Sequence, residues 1–388
     1  MEHHMKNHIY TNWIEISKEA YRKNISFFRS KLKNNAEISV VIKANGYGHG
    51  MLEMAHFADE SGVKVFCVNS LIEAIELRKA GFGQRIIVLG PVLLHSTGQA
   101  VERNIECVCY NLEHLAEFEK EASIQKKTAF IHLKIETGTN RQGISGQALI
   151  SFISTLKNYK NVTLKGVYSH FANIEDTTDH SYAQYQIDTF KKEVSAIRDA
   201  GFSGFDMHFA SSAAAIIFQN THFNMIRLGI AQYGLWPSKE TYLSYITEFG
   251  HGPEHVLTPV LEWKTIIAQV KNVKAGEFVG YGCSHQMTRD SKTAVIPIGY
   301  SDGYDRSLSN QGYVLVRGRR APVIGRIAMN LTTIDVTDIP DVALEDEVVL
   351  IGTQGEQTIR AEHLAALAGT INYEIVSRIP DHIPRVVV

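Results

Sequence analysis

The feature that most constrains this chain is a rhythm. From Ile38 to about Ile230, short β-branched runs alternate with helical patterns. The strand-like runs are expected at Ile38 to Lys43, Val63 to Val68, Arg85 to Leu89, Ile105 to Cys109, Thr128 to Ile135, Val162 to Ser169, Phe205 to Phe209 and Phe223 to Leu228. Amphipathic stretches separate them, among them Leu71 to Ala80, Leu112 to Ala122 and Tyr182 to Ala200. In the first, Leu71, Ala74, Ile75 and Leu77 recur at helical spacing and the pattern stops at Gly81, read as a C-cap. Eight strand–helix units in succession predict a (β/α)8 barrel. A doubly wound open sheet is the competing topology; the count favours the barrel without closing the question.

After Trp236-Pro237 the texture changes. Ser238 to Thr258 reads as a connection. Strand-like segments follow at Val260 to Val270, Thr293 to Ile298, Tyr313 to Val316, Val323 to Ile327, Thr332 to Val336 and Val348 to Ile351, with one helix near Arg360 to Leu367. Glycine and proline punctuate them, so a mainly β C-terminal domain is expected. The division is a barrel over 12–240 and a β domain over 241–388, to which residues 1–11 can be joined. A length of 388 residues suits two domains.

Composition narrows the partners. With 44% hydrophobic and 21% charged residues the chain has ample core for a soluble protein. A formal charge of −2 gives no general attraction to nucleic acid or to an anionic membrane, so any anion must be held by local groups. No apolar run approaches the ~20 residues that span a bilayer, and Met1 to Tyr10 lack the apolar core of a signal peptide. A cytoplasmic location is the expectation. Cys67, Cys107, Cys109 and Cys283 form no disulfide or zinc spacing and read as reduced, mostly buried thiols. The run Glu2-His3-His4-Met5-Lys6-Asn7-His8 could hold a metal weakly, but a frayed terminus is the preferred reading and no metal site is expected.

The sharpest local feature is Val41-Ile42-Lys43-Ala44-Asn45-Gly46-Tyr47-Gly48-His49-Gly50. A lysine ends the first strand and leads into a glycine-rich turn. In a barrel, strand C-termini carry the active site. A lysine partly shielded there has a lowered pKa and becomes a nucleophile, whose natural covalent chemistry is a Schiff base with an aldehyde. Taken alone, such a lysine more often reaches solvent; its ten-residue context reverses the odds.

That context resembles the cofactor-attachment motif of the alanine racemase family, fold-type III pyridoxal-phosphate enzymes. The resemblance extends through His132-Leu133-Lys134-Ile135-Glu136-Thr137-Gly138, Arg141-Gln142-Gly143, Tyr168-Ser169-His170-Phe171-Ala172, His208 to Ala213 and Arg227 to Gly234. It continues in Val279-Gly280-Tyr281-Gly282, Ile298 to Tyr304 and Gly325 to Met329. The resemblance implies that Lys43 carries pyridoxal 5'-phosphate and acts as one base, with Tyr281 of a partner subunit as the other. Arg227 would face the pyridine nitrogen, with His170 hydrogen-bonded behind it. Tyr47, Ser212 and the backbone N–H groups of Gly229 and Ile230 would grip the phosphate. Arg141 would contact the cofactor's phenolic oxygen and the substrate carboxylate, helped by the N–H of Met329 from the partner. Lys134 matches a lysine carbamylated in some members. Tyr300, with Asp302 and Arg306 nearby, would line the partner-side entrance or be ordinary surface. Without the family match, Tyr281 reads as a sheet tyrosine between turn glycines, and Arg227 and His170 as salt-bridge or core residues.

Two positions depart from the family pattern. Asn330 stands where an aspartate is common, and Asp381 where a tyrosine usually borders the substrate side chain and touches the phosphate. Asp381 either opens the pocket to serine or a cationic amino acid or faces solvent. The leading expectation is a homodimeric racemase of alanine; a racemase of serine or a broader set is the alternative. A pyridoxal-phosphate-binding protein without turnover is the alternative of another class, although such barrel proteins lack a second domain. Fold-type III decarboxylases share the two-domain plan, but the Tyr281 block argues for the racemase branch. A nucleotide-binding protein is disfavoured, since no G-x-G-x-x-G follows a strand.

Overall fold

A computed structural model describes residues 9–250 and 256–388; the histidine-bearing run at 2–8 lies outside them. By their internal contacts the residues form two compact units. One comprises 20–46 and 51–258; the other unites the N-terminal residues up to Glu19 with 47–50 and 259–388. The division therefore falls at Pro259 rather than at 241, and the N-terminal share of the β unit runs past residue 11. The reason is hydrogen bonding: Asn12–Ile16 is a strand, antiparallel to Leu261–Ile266 and parallel to Arg385–Val387.

The first unit is built on eight parallel strands: Glu37–Val41, Val65–Val68, Arg85–Val88, Glu106–Cys109, Ala129–Lys134, Val162–Tyr168, Asp206–His208 and Met225–Leu228. Each of the first seven pairs with the next along the chain up to Asp206–His208, and Met225–Leu228 pairs back with Glu37–Val41. The seam between the last two strands has no regular ladder. Instead the Asn224 N–H donates to the Met207 carbonyl (3.2 Å) and the Arg227 N–H to that of Ala210 (2.9 Å). Those two bonds close the ring, so the expected barrel is present and the open sheet is excluded. Strands such as Val65–Val68 are buried along their whole length, as helices covering a parallel sheet require. The register slips between Ile131 and His132, opposite Gly166.

The helix Leu71–Lys79 begins in a capping box made by Ser70 and Glu73. It ends at Ala80, with Gly81 as the next residue at φ +93°. The stretch expected to be a mere connection contains a helix, Lys239–Phe249. Ser238 caps it by accepting from the Thr241 N–H, and Tyr242 and Tyr245 pack on Trp236 at 5.1 and 5.6 Å between ring centroids. Its apolar face is aromatic rather than aliphatic, so the sequence shows no leucine-type periodicity.

In the second unit the main sheet runs in the order Arg319–Pro322, Tyr313–Val316, Glu347–Gln354, Leu261–Ile266, Asn12–Ile16 and Arg385–Val387, with Gln357–Ile359 pairing off Glu347–Gln354. A smaller sheet joins Gln269–Val273, Ser291–Ile296 and Thr332–Asp335. Val323 to Ile327, expected as a strand, contributes only an isolated bridge from Val323 to Ile334. Gly325, at φ +75°, turns the chain there, and the strand forms just upstream. Ala361–Ala368 is the expected helix; Asn372–Ser377 is a further one.

Candidate active site

Lys43 follows the first barrel strand and is half-buried. The next residues form an unusual turn: Ala44, Asn45, Gly46 and Tyr47 all have φ between +52° and +60°. Left-handed backbone costs the non-glycine residues about 1 kcal/mol each. Three bonds hold it: the Ala44 N–H donates to Glu73 Oε1 (2.8 Å), the Gly46 N–H to the Ile42 carbonyl (3.0 Å), and the Met51 N–H to Asn45 Oδ1 (2.9 Å). Glu73 is thus shared. Its Oε2 caps the following helix through the Asn69 and Ser70 N–H groups while Oε1 pins the lysine-bearing turn. The sequence reading assigned Glu73 no role; the Ser70–Glu73 spacing was its visible signal.

Burial lowers the proton affinity of Lys43, and Arg141 lowers it further against the opposing pull of Glu73. Lys134, buried at the end of the fifth strand, is brought down to about 8 by burial and then by Arg141, Arg227 and Lys43, against Glu136. Its Nζ donates to Gln142 Oε1 (3.1 Å). His170 falls to about 3 by burial together with Arg227, Arg141, Lys134 and Lys43. Four cations therefore crowd the mouth of the barrel, with Glu73 and Glu136 as the carboxylates that act on them. A bound polyanion would relieve their mutual repulsion.

Arg227 leaves the eighth strand buried. Its Nη1 donates to His208 Nδ1 (2.9 Å) and to the His208 carbonyl (2.6 Å); its Nη2 donates to the Ser169 carbonyl (2.7 Å). The contact with His170, expected from the sequence as the main one, is longer at 3.5 Å. His208 takes that place, a residue quoted in a motif block without a role. The Nε–H of Arg227 makes no hydrogen bond within the barrel unit, leaving one donor for a ligand. Ser212, also buried, accepts the N–H groups of Gly229 (2.9 Å) and Ala231 (3.3 Å) through Oγ. Ile230 opens the 3-10 turn Ile230–Tyr233, so its N–H has no partner inside that turn.

The remaining predicted residues belong to the β unit. Tyr47 places its ring 6.2 Å from that of Tyr373. Tyr281 is 72% exposed, held out between Gly280 (φ +74°) and Gly282 (φ +69°). Met329 and Tyr300 are exposed and adjacent: the Tyr300 N–H donates to the Ala328 carbonyl (3.1 Å) and the Ser301 N–H to that of Met329 (3.0 Å). A Cβ on Gly299 would sit 2.2 Å from the Ala328 oxygen, so this approach requires glycine. Asp302 is buried, accepting from the Gly299 N–H (2.9 Å), and Arg306 is exposed. Asn330 donates to Ser301 Oγ (2.7 Å). Asp381 is exposed, while Arg385 binds its carbonyl (3.2 Å) and that of Gly48 (2.7 Å). Cys67, Cys107 and Cys109 are buried and Cys283 is exposed. No helix among the described residues is long and apolar enough to cross a membrane.

A strand-end lysine of lowered proton affinity, set among cations at the C-terminal mouth of a parallel barrel, defines a class: barrel enzymes that hold a carbonyl compound covalently through that lysine. The family models for the N-terminal and C-terminal domains of alanine racemase match residues 16–237 and 260–387. The chain belongs to the alanine racemase family. It is 37% identical over 384 residues to an alanine racemase of Leptospira interrogans, covering 98% of this chain and 96% of that one. With that of Halothermothrix orenii it shares 38% over 373 residues, 96% of each chain. Among solved structures, alanine racemase from Bacillus anthracis with bound L-Ala-P superposes with a TM-score of 0.90 at 33% identity, covering 98% and 96% of the two chains. The enzyme from Bartonella henselae with covalently bound pyridoxal phosphate gives 0.84 at 25%, covering 98% and 100%.

Proposed function

We propose that this chain is an alanine racemase, an isomerase interconverting L- and D-alanine, with pyridoxal 5'-phosphate attached at Lys43. The observation that carries the reading is the cluster of Lys43, Lys134, Arg141 and Arg227, three of them from barrel strand ends and their following turns. A phosphate and a substrate carboxylate supply the negative charge this cluster lacks. The spare Nε–H of Arg227 fits a ring nitrogen, and Ser212, Gly229 and Ile230 present donors of the kind that hold phosphate, with Tyr47 completing the grip.

When bound, the cofactor supplies a ring that takes up the electron pair released at the α-carbon. The residues do the rest. Lys43 Nζ removes or returns the α-proton on one face, a task its lowered proton affinity suits near neutral pH. Tyr281 of a second copy serves the opposite face through its hydroxyl; its exposure on its own protomer supports a role outside that protomer. Arg141 orients the substrate carboxylate, with the Met329 N–H of the second copy, and Tyr300 lines the entrance. Arg227 stays protonated, so it donates to the ring nitrogen without giving up its proton. That keeps the ring a modest electron sink and disfavours side reactions. The functional unit is then a homodimer with shared sites, working in the cytoplasm.

The test is α-proton exchange in heavy water, followed by proton NMR over a panel of amino acids with added cofactor. Rapid exchange of both alanine enantiomers is expected. Exchange confined to serine or cationic amino acids would move the substrate, and none despite bound cofactor would refute the reading.

A further inference from the structure

Behind Arg227 lies a buried chain of polar side chains that the reaction does not touch. His208 Nε2 is 2.8 Å from His132 Nδ1, and His132 Nε2 is 2.6 Å from Glu106 Oε2. Arg85 clamps Glu106 through Nε to Oε1 (2.7 Å) and Nη2 to Oε2 (3.0 Å), and also reaches Asp206 (2.8 Å). Both imidazoles are fully buried and Glu106 is 5% exposed. Tyr168 stacks on His208 with ring centroids 4.8 Å apart and planes at 7°, which fixes the imidazole plane.

The proton positions follow from the two ends. A guanidinium only donates, so His208 Nδ1 must accept and its proton resides on Nε2. That N–H donates to His132 Nδ1, whose ring therefore carries its proton on Nε2 and donates to Glu106. Glu106 is an anion: burial alone would raise its pKa, but bonds from His132 and Arg85 hold it down to about 2. The direction Arg227 to His208 to His132 to Glu106 is the one assignment in which every link has a donor and an acceptor with both rings neutral. The fold also makes specific room for the middle ring. The strand register slips at His132, and a Cβ on the facing Gly166 would lie 2.1 Å from His132 Nδ1.

We propose that Glu106 and His132 are positioning residues that, through His208, fix the orientation and the donor strength of Arg227 toward the ring nitrogen of the cofactor. This rests on the pyridoxal-phosphate reading above. An acceptor backed by a buried carboxylate draws charge from the Nη1 side of the guanidinium and leaves its free Nε–H a weaker donor to the ring. The barrel interior thereby tunes the cofactor from the side opposite the substrate.

The holoenzyme, with nitrogen-15 in its histidine rings, tests this by two-bond nitrogen–proton NMR from about pH 5 to 9. His132 and His208 should each be neutral, protonated on Nε2 and non-titrating. A proton on Nδ1, or a charged ring, in either residue overturns the relay. In Glu106→Gln at least one ring should leave that state, and the pH dependence of the visible cofactor band should shift. The kcat should fall about tenfold, with KM for alanine within about twofold, as for other supporting-shell partners. Should that variant fail to fold, Arg85→Gln at the more solvent-exposed end should move the band in the same direction and by less. A normal band and kcat indifferent to both changes sink this proposal alone; a wild-type protein without the band sinks the cofactor reading along with it.

Discussion

Replacing Gly166 by alanine should destabilise the barrel severely, although Gly166 sits in a strand at an ordinary backbone angle. The added Cβ would lie 2.1 Å from His132 Nδ1 and 2.5 Å from Cε1. Ordinary contact demands about 3.4 Å or more, so the imidazole must retreat by about 1 Å. It is tied on both sides by bonds of 2.8 and 2.6 Å, and a shift of that size breaks at least one. Losing a bond linked to a charged group costs about 1.5–3 kcal/mol, overpacking about 1–3, and the alanine returns about 0.4–1 through the unfolded state. The net is about 3–4 kcal/mol, a fall of roughly 6–16 °C in Tm for a unit of this size. Scanning calorimetry measures it, with Gly83→Ala as the control. A Cβ at Gly83 meets nothing within 4 Å, so that variant should stay within about 0.5 kcal/mol. A Gly166→Ala protein melting with the control would refute the tight seat of His132.

Four further outcomes are expected. Lys134, at about 8 in the folded state, is protonated only in the unfolded chain between about 8 and 10.4, so its contribution makes stability rise with pH across that window. The same neutral amine can take up carbon dioxide: a carbamate signal from labelled bicarbonate should grow through pH about 8 and vanish in Lys134→Ala, and its absence from wild type at pH 9 would refute the modification. Glu106, held low in the fold, contributes stability that is present above the ordinary glutamate value of about 4.3 and is lost as pH falls toward about 2; urea titrations of wild type and Glu106→Gln should therefore converge in acid. Asp381→Tyr should leave the alanine-to-serine ratio of kcat/KM within about twofold, because the aspartate side chain faces solvent; a change of tenfold would place Asp381 in the pocket. Tyr281→Phe should keep the cofactor band and lose about a hundredfold or more of kcat, measured by the exchange assay, and retained activity would remove it as a base.

The residues differ in how far the sequence exposed them. Lys43 was legible because a strand-ending lysine before Ala44-Asn45-Gly46-Tyr47-Gly48 is a local pattern. Glu106 and His132 each left a faint signal, a single ionisable residue in an otherwise apolar strand. That signal names no partner, since His132 meets Glu106 across 26 residues and His208 across 76. The helix Lys239–Phe249 escaped because tyrosines facing Trp236 supply its apolar side. Val323 to Ile327 looked like a strand because hydrophobic runs do not reveal where a positive φ at Gly325 will turn the chain.

By itself, the sequence determined the elements and their order. Unbroken apolar runs can be buried only in a sheet covered on both faces, and glycine, serine and proline set local turns and caps from their own covalent geometry. The tertiary structure alone decided which strand seals the barrel, that the N-terminal strand joins the β unit, and which imidazole Arg227 meets. Those outcomes depend on hydrogen bonds between distant residues, each requiring a partner within about 3 Å and correctly aimed, and one-dimensional spacing does not encode that closeness.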